Sequence, residues 1–183
     1  REREREMGNK ASALAQEEIE ELMAGTHFSP PEIKRLYRRF MKLDKQRTGQ
    51  VNVDSLTMIP ELGMNPLANR VLEVLDENND ELINFKDFLL ALSVFHSDAS
   101  KAEKLAFAFK IYDVDNDGAI GEDDLMVILS ELVGQSLSHH QLVQLVAKTI
   151  RESDVDKDGM LSLEEFTSAV SGCEIKQQLT VVF

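Results

Sequence analysis

Oxygen-bearing side chains recur at one spacing in four windows of twelve residues, beginning at Asp44, Asp76, Asp113 and Asp154. The last window, DVDKDGMLSLEE, sets Asp154, Asp156, Asp158, Ser162 and Glu165 at positions 1, 3, 5, 9 and 12. Gly159 stands at position 6, where the backbone must turn sharply, and Met160 at position 7 is needed only for its carbonyl. A hard cation takes about six to eight oxygens at about 2.3–2.6 Å, and this spacing wraps them around one point. An acidic surface turn has no reason to fix Gly at position 6 and Glu at position 12 between two amphipathic stretches. The window therefore reads as a calcium loop of the EF-hand pattern.

The other windows grade by what they offer. The third, DVDNDGAIGEDD, keeps Asp113, Asp115, Asp117 and Gly118, with the carbonyl of Ala119 at position 7 and Asp124 at position 12. Its position 9 is Gly121, so a water is expected at that vertex, and the shorter Asp124 favours one-oxygen binding, which lets Mg²⁺ compete with Ca²⁺. The second, DENNDELINFKD, offers Asp76, Asn78, Asp80, Asn84 and Asp87 but carries Glu81 at position 6. A non-glycine residue forced into a left-handed turn costs about 1–2 kcal/mol, so a weak or vestigial site is expected there. The first, DKQRTGQVNVDS, has one carboxylate in the liganding positions, Asp44, and ends on Ser55, which cannot supply two oxygens. Two calcium sites, the third and fourth, are expected.

Each window follows an apolar stretch at helical spacing and carries a β-branched or leucine residue at position 8: Val51, Ile83, Ile120 and Leu161. Ser29-Pro30-Pro31-Glu32 marks a helix start, with Ser29 placed to cap and proline in the first turn. A single helix–loop–helix cannot bury its own apolar faces, so the units should pair, first with second and third with fourth. The expected fold is all-α, four EF-hands in two lobes. The amino-terminal pair spans 24–96 and the carboxy-terminal pair 97–172, joined near Ser93–Ser100. Residues 1–23 form an extension with a short helix, and 173–183 an apolar tail that packs on the second lobe or meets a partner. Within the extension, Met7-Gly8-Asn9-Lys10-Ala11-Ser12 fits the myristoylation pattern at Gly8, valid if translation begins at Met7. One acyl chain binds membranes only marginally, so a second contact would be required.

Composition closes several classes. The net charge of −13 sits largely in the third and fourth windows, and no basic stripe exists to meet nucleic-acid phosphates. One cysteine, Cys173, excludes an internal disulfide and suits a reducing, cytoplasmic setting, with peripheral membrane association expected where Gly8 is acylated. No run reaches the roughly 18 apolar residues of a membrane span. His27, His96, His139 and His140 show no metal-ligand spacing and read as exposed polar residues near helix starts, so no catalytic residue is expected and the protein is not read as an enzyme.

The chain resembles the calcineurin B-like family of EF-hand proteins, which includes the calcineurin regulatory subunit and the calcineurin B homologous proteins. The resemblance rests on Pro31-Glu32-Ile33-Lys34-Arg35-Leu36, on Ile59-Pro60-Glu61-Leu62 with Asn65-Pro66-Leu67, and on Phe107-Ala108-Phe109-Lys110-Ile111-Tyr112-Asp113. It implies a myristoylated two-lobed calcium sensor that clasps an amphipathic target helix, either of a phosphatase catalytic subunit or of a membrane transporter tail. The degraded first two loops match the homologous proteins, whereas the absence of their usual insertion between the second and third hands does not. A calcium buffer is the weaker alternative, because about half the sites are spent. Met41, Met58, Leu62, Leu89, Leu92, Phe95, Met126 and Leu129 exceed what one helix pair must bury; methionines suit an adaptable groove, while core packing explains most of these positions taken singly.

Overall fold

The computed structural model describes residues 14–57, 65–76, 78 and 80–172. Gly8, Met58, Leu62, Cys173 and the apolar tail lie outside them. By contacts, the described residues fall into two units, one within Arg1–Leu62 and Leu75–Ala99, the other within Gly63–Val74 and Ser100–Phe183.

In the first unit, α1 (Gln16–Gly25) precedes α2 (Pro30–Leu43), which leads through the first window to strand β1 (Gln50–Asn52) and α3 (Val53–Thr57). Helix α1 runs through Gly25 and stops at Thr26. At the start of α2 the Ser29 N–H donates to Glu32 Oε2 at 2.9 Å; the Ser29 hydroxyl also donates to that carboxylate instead of accepting from the helix. The Ser29 hydroxyl, its N–H and nearby cations together hold the Glu32 carboxyl below its usual range against the opposing pull of burial. After the second window come β2 (Leu82–Asn84) and α5 (Phe85–Val94). Strands β1 and β2 pair antiparallel with Val51 opposite Ile83, so the two position-8 residues meet as expected. Both are buried, and burial of such side chains stabilises by about 1.5–3 kcal/mol each. Phe40 packs against Phe85 and Phe88 with ring centroids 5.4 and 5.5 Å apart.

In the second unit, α4 (Ala68–Leu75, its last residue counted with the first unit) enters the second window. Helix α6 (Lys101–Tyr112) enters the third and α7 (Glu122–Val133) leaves it, while α8 (His139–Ser153) and α9 (Leu163–Gly172) flank the fourth. A reciprocal cap starts α6: Glu103 N–H donates to Ser100 Oγ at 3.2 Å and Ser100 N–H to Glu103 Oε2 at 2.7 Å. Ser138 and Gln141 start α8 in the same way. Ile120 and Leu161 exchange two backbone hydrogen bonds of 2.9 Å, and around this bridge Leu105, Phe109, Leu125, Val146, Ile150 and Phe166 form one core.

One expectation needs correction. His139 and His140 are indeed exposed at a helix start, but His27 and His96 are partly buried: their rings stack at 6.3 Å and Phe28 meets His96 edge-on at 5.1 Å. Leu89 and Leu92 belong to the core of the first unit, and Met41, Phe95, Met126 and Leu129 are half-buried. The exposed large apolar side chains of the second unit include instead Val127 and Leu132 on α7 and Val143 and Leu145 on α8. A count of apolar residues on a helix cannot tell its inner stripe from its outer one.

Candidate metal centre

All four windows share one scaffold, anchored on the aspartate at position 1. Asp44 takes hydrogen bonds from the Thr48 N–H (3.0 Å) and the Gly49 N–H (2.7 Å), and Asp76 from those of Asp80 (3.1 Å) and Glu81 (2.7 Å). Asp113 accepts from Asp117 and Gly118, both at 3.1 Å, and Asp154 from Lys157 at 2.6 Å and Gly159 at 3.0 Å. Position 6 is left-handed throughout, with φ of +80° at Gly49, +60° at Glu81, +94° at Gly118 and +91° at Gly159. Glu81 therefore carries the strain expected of it. Position 4 is also left-handed, at Arg47, Asn116 and Lys157, although none of these is glycine. Only the asparagine is a residue type that favours this conformation, so the sequence carried no signal for the other two.

What separates the windows is their carboxylates. Oxygens of Asp113, Asp115 and Asp117 lie within 4.8 Å of one another, as do those of Asp154, Asp156 and Asp158. Among the described residues, Asp76, Asp80 and Asp87 form no such cluster. In the second window positions 9 and 12 are engaged with each other: Asp87 N–H donates to Asn84 Oδ1 at 3.0 Å and Asn84 Nδ2 donates to Asp87 Oδ2. Asn78 lies in the turn between Asp76 and Asp80. Ala119 and Met160 sit at position 7 of their loops, their N–H groups donating to Asp117 at 2.9 Å and Asp158 at 2.8 Å.

Asp124 and Glu165, at position 12, are not gathered into the three-carboxylate clusters. Asp124 accepts from the N–H groups of Val114 (3.0 Å) and Gly121 (2.8 Å), positions 2 and 9. Glu165 does the same with Val155 at 2.7 Å and Ser162 at 2.9 Å, and also takes the Ser162 hydroxyl at 2.8 Å. Hydrogen bonds from the Ser162 N–H and hydroxyl, and then from Val155, hold the Glu165 carboxyl down to about 2. In both loops, positions 9 and 12 are also the N-cap and third residue of the exit helix, so the twelfth carboxylate caps α7 or α9. The Asp158 N–H pulls the Asp156 carboxyl down, yet local desolvation and repulsion from Asp158, Glu165 and Asp154 leave it raised. Carboxylates crowded enough to repel one another, beside a twelfth one already ionised, fit a divalent cation.

Paired helix–loop–helix units with position-8 bridges and acidic loops define an EF-hand protein. Residues 102–171 match the family model described as an EF-hand domain pair. Calcineurin B of Naegleria gruberi, a calcineurin subunit, is 48% identical over 175 residues, which cover 96% of this chain and 99% of that protein. The type 2 calcineurin B of Dictyostelium discoideum is 42% identical over 179 residues, 97% and 98% of the two chains. The human type 2 calcineurin B is 43% identical over 176 residues, 96% and 99% of the two. The chain belongs to the calcineurin B family of calcineurin subunits.

Proposed function

We propose that this protein is the calcium-sensing regulatory subunit of a calcineurin-type serine/threonine phosphatase, binding an amphipathic helix of the catalytic subunit. Kinship with calcineurin B over nearly the whole of both chains carries this reading. Asp113, Asp115, Asp117, the Ala119 carbonyl and Asp124 would hold one ion, and Asp154, Asp156, Asp158, the Met160 carbonyl and Glu165 the other. The first site is of mixed Ca²⁺/Mg²⁺ character. Asp76, Asn78, Asp80, Asn84 and Asp87 form a vestigial site, since Asn84 and Asp87 satisfy each other and Glu81 strains the turn. The chain's part is to bind and to move helices; no catalytic residue is assigned to it.

The exposed Val127, Leu132, Val143 and Leu145 supply apolar surface of the kind an amphipathic helix covers. No helix among the described residues is long and apolar enough to cross a membrane, and an acyl group on Gly8 would give a marginal membrane contact that needs a second one beside it. Calorimetric titration with calcium in magnesium-free buffer is expected to show two sites. Glu165→Gln removes the tighter of them, since loop positions 1, 3 and 5 then lack the bidentate partner that completes the shell. Three or four equally tight sites would overturn this assignment.

A further inference from the structure

Arg70 is an arginine in an unexpected place. It lies on α4, only 7% exposed, and its guanidinium is turned onto the far end of α6. Nε donates to the Ile111 carbonyl at 3.1 Å, and Nη2 to those of Lys110 at 3.3 Å and Asp113 at 2.6 Å. Nη1 is paired with Glu73 Oε2 at 3.0 Å, one turn along its own helix. Lys110 and Ile111 belong to the last turn of α6, and Asp113 is both its C-cap and position 1 of the third loop.

The last carbonyls of a helix have no partner within it and carry the negative end of its dipole. A planar guanidinium meets several of them at once in a fixed geometry, which an ammonium cannot do. The residue whose carbonyl Arg70 grips most closely is the one whose carboxylate starts the liganding sequence and takes the Asp117 and Gly118 N–H groups. Among the described residues, no side chain from another helix makes the equivalent contact to the carbonyls at the start of the fourth loop. A cation beside a cation site also repels the ion, but Glu73 lies against this one and offsets its charge. The grip is thus expected to outweigh the repulsion.

We infer that Arg70 is a positioning residue for the third loop, clamping the end of α6 so that Asp113 presents its carboxylate to the ion. This rests on the calcium reading of that loop given above. The test follows the amide signals of Gly118 and Gly159, one for each loop, during calcium titration of the full chain by NMR. In Arg70→Met the affinity read at Gly118 falls about tenfold or more, the loss of a charge-assisted hydrogen-bond set. The affinity read at Gly159 falls by clearly less than that at Gly118, since the fourth loop feels the change only through the Ile120–Leu161 bridge. Arg70→Lys, which keeps the charge but not the fork, falls between wild type and Arg70→Met. If Arg70→Met does not fold, Arg70→Lys decides alone by the same comparison of the two glycines.

Unchanged affinity at Gly118, an increase there, an equal fall at both glycines, or a lysine variant indistinguishable from wild type would each overturn the inference. If neither glycine of the wild-type chain responds to calcium, it is the metal reading that fails. If both respond normally in wild type and in the variants, only the role of Arg70 fails.

Discussion

Two aspartates at opposite ends of their loops illustrate how one residue type serves different purposes. Asp124 caps α7 from position 12 of the third loop, and its short side chain would reach an ion with one oxygen. Asp124→Glu is expected to raise calcium affinity at that site and to weaken magnesium competition, because a second oxygen becomes available. Competition titrations with the two ions check this, and equal magnesium sensitivity in both variants would show that position 12 does not set the preference. Asp44, by contrast, is buried at position 1 of a loop without further carboxylate ligands and works as a fastener. Burial pushes its carboxyl up, but hydrogen bonds from Gly49, Thr48 and Arg47 win and leave it lowered. A depressed carboxylate contributes stability that is present above its unfolded value, about 3.9, and lost as pH falls through the folded one. Asp44→Ala should therefore cost about 2 kcal/mol at neutral pH. The gap to wild type in denaturant unfolding should shrink below about pH 4; a pH-independent gap would contradict this account.

At the level of the element, the twelve-residue loop is a backbone device first and an ion site second. The first loop has lost ligands and the second the glycine of position 6, yet they keep the position-1 hydrogen bonds, the left-handed turn and the Val51–Ile83 pairing. Glu81 shows the cost of keeping the turn without glycine. Relief of a left-handed residue gains about 1–2 kcal/mol, while glycine adds about 0.4–1 kcal/mol of unfolded-state entropy. Glu81→Gly is thus expected to stabilise the fold by about 0.5–1 kcal/mol in chemical denaturation, and a loss of stability would mean the glutamate is not strained. Much of this element was legible in the sequence because its chemistry needs fixed residue types at fixed spacing. The left-handed Arg47 and Lys157 were not, since neither side chain carries a mark of that conformation. Arg70 was hidden for another reason: its partners lie 40 to 43 residues away, and a helical pattern says nothing about which face meets which distant carbonyl.

Across the whole molecule, the unequal loops divide the labour. The amino-terminal pair has few ligands to lose, so its hold on a target helix should not need calcium. A pull-down of the catalytic-subunit helix by the full chain in excess chelator should retain the complex, and complete release would show that the entire clasp is calcium-gated. The third and fourth loops are joined through the two 2.9 Å hydrogen bonds between Ile120 and Leu161. With an ion in each loop, ordering one would also fix the bridged backbone of the other, so the second ion would meet a site whose entropy has already been reduced. A response built this way is steeper than that of a single site, with a Hill coefficient between about 1 and 2. The protein would then behave less as a gauge of calcium than as a soft threshold, answering over a narrower span of concentration than either loop alone.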